Sequence, residues 1–159
     1  MPQTIQEMNR LLFAFAVVLA LAGCNRNTLY SHYEHTPVEG WERNDTVTFL
    51  VDGIPQTGTY TEELGLRIST AFPYAALTLI VSQQATASAL ERTDTLAARL
   101  ADEEGNLNGE GGIDHFLYTF PLPAVDLQQG DTLRIDVSHC MRRETIAGIS
   151  ELGFIIHKP

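Results

Sequence analysis

The sequence predicts a mostly β protein, with a single antiparallel β-sandwich domain of about seven strands behind a cleaved N-terminal segment. After residue 40, apolar residues recur with period two in short segments that are separated by turn residues, as in half-buried strands. Without its first 23 residues the chain keeps about 136 of its 159 residues, enough for one domain to bury its own core.

The unbroken apolar run over residues 11–22 predicts a signal peptide. About a dozen apolar residues are too few to cross the ~30 Å hydrocarbon core of a bilayer, which takes roughly 20. Arg10 supplies the positive charge that precedes such a run, but Glu7 offsets it. A start at Met8 would leave only Met8-Asn9-Arg10 before the apolar run, without Glu7, so translation starts at Met1 or at Met8. In the numbering of the full chain, residues 1–23 are assigned to the signal peptide.

Leu21-Ala22-Gly23-Cys24 resembles the bacterial lipobox, an aliphatic residue and two small residues before a cysteine. The resemblance implies that the Cys24 thiol receives a diacylglyceryl group, that the chain is cleaved just before it, and that acyl chains such as palmitate hold the protein to a membrane. The alternative is an ordinary secretory signal with cleavage after Ala20-x-Ala22, which leaves Cys24 as a plain thiol. Residues 24–39 then form the lipidated N-terminus and tether, and residues 40–159 the domain.

The strands are predicted from alternating apolar residues between turns such as Asp52-Gly53 and Gln129-Gly130-Asp131. Six segments show the pattern: 47–51, 64–68, 77–81, 116–120, 133–137 and 152–156. Residues 85–101 are ambiguous, because their composition favours a helix while Leu96, Ala98 and Leu100 alternate. We predict a strand there from about Thr93. Six or seven short strands spaced by turns favour an antiparallel sandwich.

The glycine-rich acidic segment 103–112 predicts a flexible hairpin loop. Its Glu104-x-Asn106-x-Asn108-Gly109 pattern partly matches a calcium loop, but His115 stands where a bidentate carboxylate should close the loop. The hairpin is therefore the preferred interpretation.

Composition excludes some partners and limits how the protein reaches a membrane. The net charge is −10, Lys158 is the one lysine, and the arginines are scattered, so nucleic acid is not a predicted partner. Anionic headgroups repel so acidic a domain, and attachment must come from acyl chains rather than from a basic patch. With Cys24 lipidated, Cys140 has no intramolecular partner, and we predict a buried thiol.

No catalytic residue and no metal site is predicted. His32 and His35 need a helix to converge on a metal, and their segment looks irregular. Ser138, His139 and Cys140 are consecutive on a predicted strand. Neighbouring side chains of a strand point to opposite faces, so these three cannot act together on a substrate.

A set of residues and short motifs occurs through the mature chain in a specific order: Cys24, Tyr33, Trp41 with Asp45 and Phe49, Leu66-Arg67, Phe72-Pro73-Tyr74 with Leu77-Thr78-Leu79, Asp94-Thr95-Leu96, Leu100-Ala101-Asp102, the loop 105–111, His139-Cys140-Met141-Arg142, Ile146-Ala147-Gly148-Ile149 and Leu152-Gly153. By these marks and their order, the mature chain resembles the gliding-motility lipoprotein family GldH of Bacteroidetes-type bacteria. The chain departs from the family at Ala75-Ala76, where an asparagine before the leucine is commoner.

The resemblance implies a non-enzymatic lipoprotein of the cell envelope, anchored in the outer membrane and without an established cofactor. It also implies partners among the envelope proteins of a motility- and secretion-type complex. The alternative is a lipid-anchored carbohydrate-binding sandwich with an aromatic platform of Trp41, Tyr60 and Tyr118, although single aromatics in alternating strands usually belong to the core.

Residues 138–153 carry the densest part of the resemblance and the candidate functional residues. His139 continues the apolar row of the preceding strand, which predicts a partly buried, hydrogen-bonded histidine. Arg142 and Arg143 are the one doubled positive charge in an acidic domain. They are predicted either to clamp an internal carboxylate, the preferred interpretation, or to dock an acidic partner.

We expect Cys24→Ala to leave a precursor that retains residues 1–23, because the lipoprotein peptidase cleaves only after the thiol has been alkylated. The mass of the protein recovered from the envelope measures this directly. Lipid-free protein of the normal mature size would instead indicate cleavage by an ordinary signal peptidase.

Overall fold

The computed structural model describes residues 27–159 and confirms the predicted antiparallel β architecture. The signal peptide and Cys24 lie outside the described residues. The strands of the described part are β1 (Thr28–His35), β2 (Trp41–Glu42), β3 (Val47–Val51), β4 (Gly58–Ser69), β5 (Ala76–Ala85), β6 (Glu91–Arg99), β7 (Glu110–Gly111), β8 (His115–Leu127), β9 (Leu133–His139), β10 (Thr145–Ile146) and β11 (Ile149–His157). The strands beyond the predicted seven are β1 and three two-residue strands, whose sequences show no apolar alternation.

Two sheets form the sandwich. One has five strands in the order β1-β11-β4-β8-β7, and the other has four in the order β3-β9-β5-β6. Strands β2 and β10 pair as a small separate ribbon. All these pairings are antiparallel, which fits a chain whose consecutive long strands are joined by short turns and loops.

The core lies between the two sheets. Successive side chains of a strand point to opposite faces, so the predicted apolar rows become the two inner walls. In β9, Leu133, Ile135 and Val137 have no exposed surface. The rings of Phe49 and Phe154 meet across the core with their centroids 5.9 Å apart. Burying each large apolar side chain stabilises the fold by about 1.5–3 kcal/mol.

The segment that the sequence left ambiguous is strand β6. It pairs with β5 along its whole length and begins two residues before the predicted Thr93. Leu96 and Ala98 turn toward the core while Ser82 and Thr93 share a hydrogen bond on the outer face. Packing and backbone pairing therefore override the helix-favouring composition.

Strand β1 extends the folded domain beyond the predicted boundary at residue 40. It pairs along β11, with Thr28 opposite His157 and His35 opposite Glu151. Backbone groups make these hydrogen bonds whatever the side-chain pattern, so a strand without apolar alternation escapes detection in the sequence. With β1 in the sheet, only residues 25–27 separate the first strand from Cys24.

Tyr33 fastens β1 to the outer face of the five-stranded sheet. Its ring lies over Gly153 of β11 and Gly65 of β4, which are paired with each other. A Cβ atom at either glycine would overlap the ring. On the same face, Arg67 and Glu151 form an ion pair of 2.6 Å. An aromatic ring laid across cross-strand glycines covers backbone that would otherwise lack side-chain packing.

The glycine-rich segment returns the chain from β6 to β8. Ala101 bridges Leu107, and Asp102 accepts a hydrogen bond of 2.8 Å from the backbone N–H of Asn106. Strand β7 then adds to the edge of β8. Among the residues that the structure describes, no three or more His, Cys, Asp or Glu side chains are grouped as metal ligands.

The connections give the sandwich two different ends. The terminal end holds the start of β1, the end of β11 and the loops 52–57, 86–90 and 128–132. The loop end holds the loops 36–46, 70–75, 100–114 and 140–148. No helix within residues 27–159 is long and apolar enough to cross a membrane.

Glu62 places one carboxylate inside the sandwich, where it is 1% exposed. Its Oε2 accepts a hydrogen bond of 2.8 Å from Gln83 Nε2 of the opposite sheet and one of 3.1 Å from Arg92 Nη2. The Arg92 guanidinium also donates to the carbonyl oxygens of Pro123 and Ala124. This network ties β4, β5, β6 and β8 together along one edge of the sandwich.

Burial raises the pKa of Glu62 to about 7, against the opposing hydrogen bond from Gln83 and the charge of Arg92. Within the described residues its second oxygen, Oε1, is buried without a hydrogen-bond partner. Arg92 Nε and Asp94 Oδ2 lie 2.7 Å apart without hydrogen-bond alignment, so this pair attracts mainly through charge. Ionising Glu62 therefore costs folding free energy.

The contribution of Glu62 to stability is expected to fall as the pH rises toward neutrality. The pKa of Glu62 is about 7 in the folded protein and 4.5 without the fold, so this group stabilises the fold fully below pH 4.5 and loses that effect as the pH rises through 7. The shift corresponds to roughly 3 kcal/mol. Glu62→Gln should remove this slope, as measured by urea unfolding across the pH range.

Glu63→Gln is the matched control, because Glu63 is half-buried on the outer face and lies 3.4 Å from His157. It should keep the slope of the wild type. A Glu62→Gln protein with an unchanged slope would contradict the buried carboxylate as its source.

Candidate interaction site

At the loop end, Trp41 and His139 hold separate chain segments together. The Trp41 indole is 1% exposed, and its Nε1 donates to the carbonyl oxygen of Asp45 at 3.0 Å. The His139 imidazole packs edge-on against this indole with ring centroids 5.2 Å apart. Its Nε2 is 3.0 Å from the carbonyl oxygen of Trp41. The contact fixes the β2–β10 ribbon to the end of β9.

His139 is neutral in the folded protein. Burial lowers its pKa, and the positive charge of Arg43 acts in the same direction. The backbone N–H of Met141 donates to Nδ1 at 3.4 Å, so we assign the proton to Nε2, which donates to Trp41. The sequence predicted a partly buried, hydrogen-bonded histidine here, and the ring is 1% exposed. Both ring nitrogens are therefore hydrogen-bonded to backbone groups of the folded chain.

Beside this contact, a groove crosses the loop end. Two adjoining recesses of about 490 and 330 Å³ form it, and they share Gly148. Its walls come from segments 69–74, 143–150 and 35–39. We call this surface the end groove. Val38 is fully exposed at its rim, so the groove carries exposed apolar surface at its edge.

Gly148 sets the shape of the end groove. Its φ of +91° is in the left-handed region, which favours glycine. A Cβ atom there would lie 3.2 Å from the Phe72 ring. Phe72 is 5% exposed and packs edge-on against Tyr74, with centroids 5.4 Å apart. Phe72 therefore anchors the loop in the core, and the half-buried Tyr74 lines the groove.

The end groove and its support unite stretches that are far apart in the sequence. Trp41, Phe72-Pro73-Tyr74 and the segment 139–149 all belong to this end of the molecule. The same stretches carry much of the family resemblance. Tyr33 and Gly153 also belong to that resemblance, and their contact explains both through packing in the sheet.

Arg142 and Arg143 lie on the exposed side of the loop. Arg143 lines the end groove, and the carbonyl oxygen of Arg142 accepts a hydrogen bond of 2.5 Å from Arg43 Nη2. Within residues 27–159, neither the Arg142 nor the Arg143 guanidinium forms an ion pair with a carboxylate. The sequence favoured an internal clamp, in which these arginines hold a carboxylate of the same chain, but the described residues bring no carboxylate into ion-pair contact with them. This geometry favours the other interpretation, docking of an acidic partner.

Cys140 requires a correction, because the structure exposes the thiol that the sequence predicted to be buried. The physical reason is that β9 ends at His139, and Cys140 begins the following loop. Ser138 is on the opposite face of the strand from His139. The three consecutive residues do not converge on a common point.

The histidines of β1 do not converge either. His32 bonds Glu34 at 2.9 Å, while His35 lies 3.3 Å from Glu151 of β11. Residues three apart on a strand point to opposite faces. Each imidazole therefore has a separate carboxylate neighbour.

The aromatic platform considered as an alternative is not a surface of this protein. Trp41, Tyr60 and Tyr118 are 1%, 0% and 8% exposed. The hydroxyl groups of Tyr60 and Tyr118 donate to the carbonyl oxygens of Gln56 and Leu100. These rings pack in the core, so the set offers no face on which a sugar can stack.

Sequence reasoning missed two features of the structure. Glu62 had a readable signal, since it lies in phase with the apolar residues Leu64 and Leu66 and is therefore directed inward. Arg43 had none, because its contact with Arg142 joins residues 99 apart in the sequence.

Comparisons with known proteins agree with the resemblance seen in the sequence. A family model described as GldH lipoprotein matches residues 28–156. The gliding motility lipoprotein GldH of Flavobacterium johnsoniae is 25% identical over 150 residues, which cover 88% of this chain and 91% of that protein.

Some solved structures share parts of the fold. The carbohydrate-binding module CBM6cm-2 of Cellvibrio mixtus lichenase 5A, in complex with cellotriose, has 14% identity and a TM-score of 0.41, covering 84% of this chain and 91% of the module. A family 35 carbohydrate-binding module from Clostridium thermocellum has 13% identity and a TM-score of 0.40, covering 83% and 90%. These TM-scores are too low to support an argument about what this chain binds.

We expect His139→Ala to lower the free energy of unfolding by about 1–3 kcal/mol, because it leaves the Trp41 carbonyl and the Met141 N–H without their partner. Arg143→Ala should stay within about 0.5 kcal/mol of the wild type, since the side chain is exposed. Urea unfolding at neutral pH measures both. If Arg143→Ala lowers the free energy of unfolding as much as His139→Ala does, the internal-clamp interpretation is supported instead.

Proposed function

The chain belongs to the GldH lipoprotein family, and on that premise we propose that it is a non-enzymatic, lipid-anchored component of the gliding-motility envelope machinery. We further propose that it is anchored in the outer membrane through Cys24. It works by binding another envelope protein at the end groove. Its partners are thus the membrane, through the lipid, and proteins of a motility- and secretion-type complex.

One observation carries the proposed site. At the end groove, exposed apolar surface adjoins arginines that have no carboxylate partner in the described part of the chain. By contrast, Arg67, Arg92 and Arg134 each pair with a carboxylate, while Arg43 and Arg99 donate to backbone carbonyl oxygens. An unpaired guanidinium beside apolar surface suits a protein interface, in which arginine and aromatic side chains are enriched.

The proposed partner presents a carboxylate to Arg143 and an apolar side chain to Tyr74 and Ala147. A guanidinium binds a carboxylate through two parallel hydrogen bonds, so the charge fixes orientation as well as adding affinity. Val38, at the rim, adds apolar contact area. This chemistry also explains how a strongly acidic domain can bind a partner that carries negative charge locally.

The state of His139 supports a non-enzymatic role. The ring is buried and neutral, and both nitrogens are hydrogen-bonded to the backbone of the same protein. A general base needs a nitrogen within reach of the substrate. His139 instead positions the loop that carries Arg142 and Arg143.

Site-specific photo-cross-linking in living cells tests the interface. A cross-linking residue at Tyr74 or Ala147 should capture the same envelope protein, while one at Thr95, exposed on the outer face of β6, should not. Arg143→Ala should reduce the yield severalfold. Arg134→Ala is the matched control, because it removes an exposed arginine that pairs with Asp136 on another face.

Capture from Thr95 but not from the two groove positions would reject the end groove as the interface. If Arg143→Ala gives as much cross-linked product as the wild type, Arg143 is not part of the interface. Labelling with radioactive palmitate and separating membranes by density test the anchor and its membrane independently of the partner. Label that is lost in Cys24→Ser and found with the outer membrane is the expected result.

A further inference from the structure

We propose that the terminal end of the sandwich lies against the lipid headgroups of the membrane, held there by a tether of three residues, so that the end groove faces away. This inference rests on the proposed lipid at Cys24. It adds an orientation and a membrane-facing surface to the proposed anchor. Four observations support it: the length of the tether, the distribution of charge, the rigidity of the end face and the polarity of its side chains.

The tether is short. Residues 25–27 separate Cys24 from Thr28, the first residue of β1. Three residues span at most roughly 10–11 Å when fully extended. Asn27, the last residue of the tether, is itself held to the domain, because its carbonyl oxygen accepts a hydrogen bond of 2.7 Å from the backbone N–H of Lys158. The terminal end therefore cannot move far from the lipid.

Charge is distributed unequally between the two ends. The loop-end segments 36–46, 100–114 and 140–148 carry nine of the 20 Asp and Glu residues against three arginines, Arg43, Arg142 and Arg143. The terminal-end loops and the C-terminal dipeptide carry Asp52, Asp131 and the cation Lys158, and the exposed acids Glu91 and Asp126 lie at the adjoining strand ends. Arg26 in the tether adds a positive charge. An anionic surface therefore repels the loop end more strongly than the terminal end.

Asp131 carries its negative charge beneath the end face, where backbone N–H groups surround the carboxylate. It has no exposed surface, and its carboxylate accepts backbone hydrogen bonds from Ala87, Ser88 and Gln128 at 2.5, 2.9 and 2.8 Å. Burial acts to raise its pKa, but these hydrogen bonds prevail and lower it. The backbone oxygen of Asp131 also accepts a hydrogen bond from Ile54. The carboxylate of Asp131 thus joins the loops 86–90 and 128–132, and its backbone oxygen adds the loop 52–57 to the same face.

The exposed side chains of that face are mainly uncharged and polar. Gln56, Thr57, Thr86, Gln128 and Gln129 lie there beside the exposed Asp52. The large exposed hydrophobic residue Leu50 lies next to this face, on the outer side of β3. Such a face makes hydrogen bonds to headgroups without entering the hydrocarbon region. The eight residues of β1, at about 3.3 Å each, place the end groove roughly 26 Å further from the bilayer.

Fluorescence quenching tests the orientation on the full-length lipidated protein, purified and reconstituted into vesicles of phosphatidylcholine and anionic phosphatidylglycerol that contain a nitroxide-headgroup lipid. In a Cys140→Ser background, a fluorophore is attached at Gln129→Cys on the terminal end or at Ala147→Cys on the end groove; both positions are exposed. The fluorophore at 129 should be quenched severalfold more than the one at 147. Equal quenching, or stronger quenching at 147, overturns the orientation.

A second variant isolates the tether. Inserting about ten Gly and Ser residues between Asn25 and Arg26 adds a flexible spacer of roughly 18 Å. The difference in quenching between positions 129 and 147 should then largely disappear, and its persistence overturns the role given to the short tether. Intact-protein mass spectrometry separates the two proposals: acylated protein with equal quenching overturns the orientation alone, while protein without an acyl mass on Cys24 overturns the anchor and the orientation together.

Discussion

The pairing of the first strand with the last is the constraint on which the rest of the molecule depends. Because β1 and β11 run antiparallel at the edge of one sheet, both termini of the described chain fall at the same end. Tyr33 closes the pairing from outside by covering Gly153 and Gly65. The longer loops are then left together at the opposite end, where distant segments meet as one surface.

At that surface, the same loop supports the fold and carries the exposed side chains to which we assign the proposed partner. His139 is fixed by the Trp41 carbonyl and by the N–H of Met141, while Arg143, four residues later, has no carboxylate partner in the described chain. The residue that supports the loop thus lies at the end of β9, and the exposed arginine lies in the loop that follows. A surface that is pre-organised in this way loses little conformational entropy on binding.

The sequence predicted what depends on local periodicity and missed what depends on topology. The long strands β4, β5, β9 and β11 were readable because inward apolar residues recur every second position. Strand β1 and the β2–β10 ribbon were not, because backbone pairing alone defines them. His139 was placed correctly in phase with its strand. The end groove was beyond prediction, since its walls are brought together only by the complete order of strands.

The position of β1 also determines how the domain responds to mechanical force. A pull on the N-terminus, opposed by a partner held at the far end, acts along the axis of β1. The hydrogen bonds that join β1 to β11 run perpendicular to the strands, so such a force shears the whole ladder at once instead of opening it one bond at a time. Resistance in that direction is governed by the rate of unfolding, not by equilibrium stability. The ring of Tyr33, seated across β11 and β4, must also slide before β1 can move.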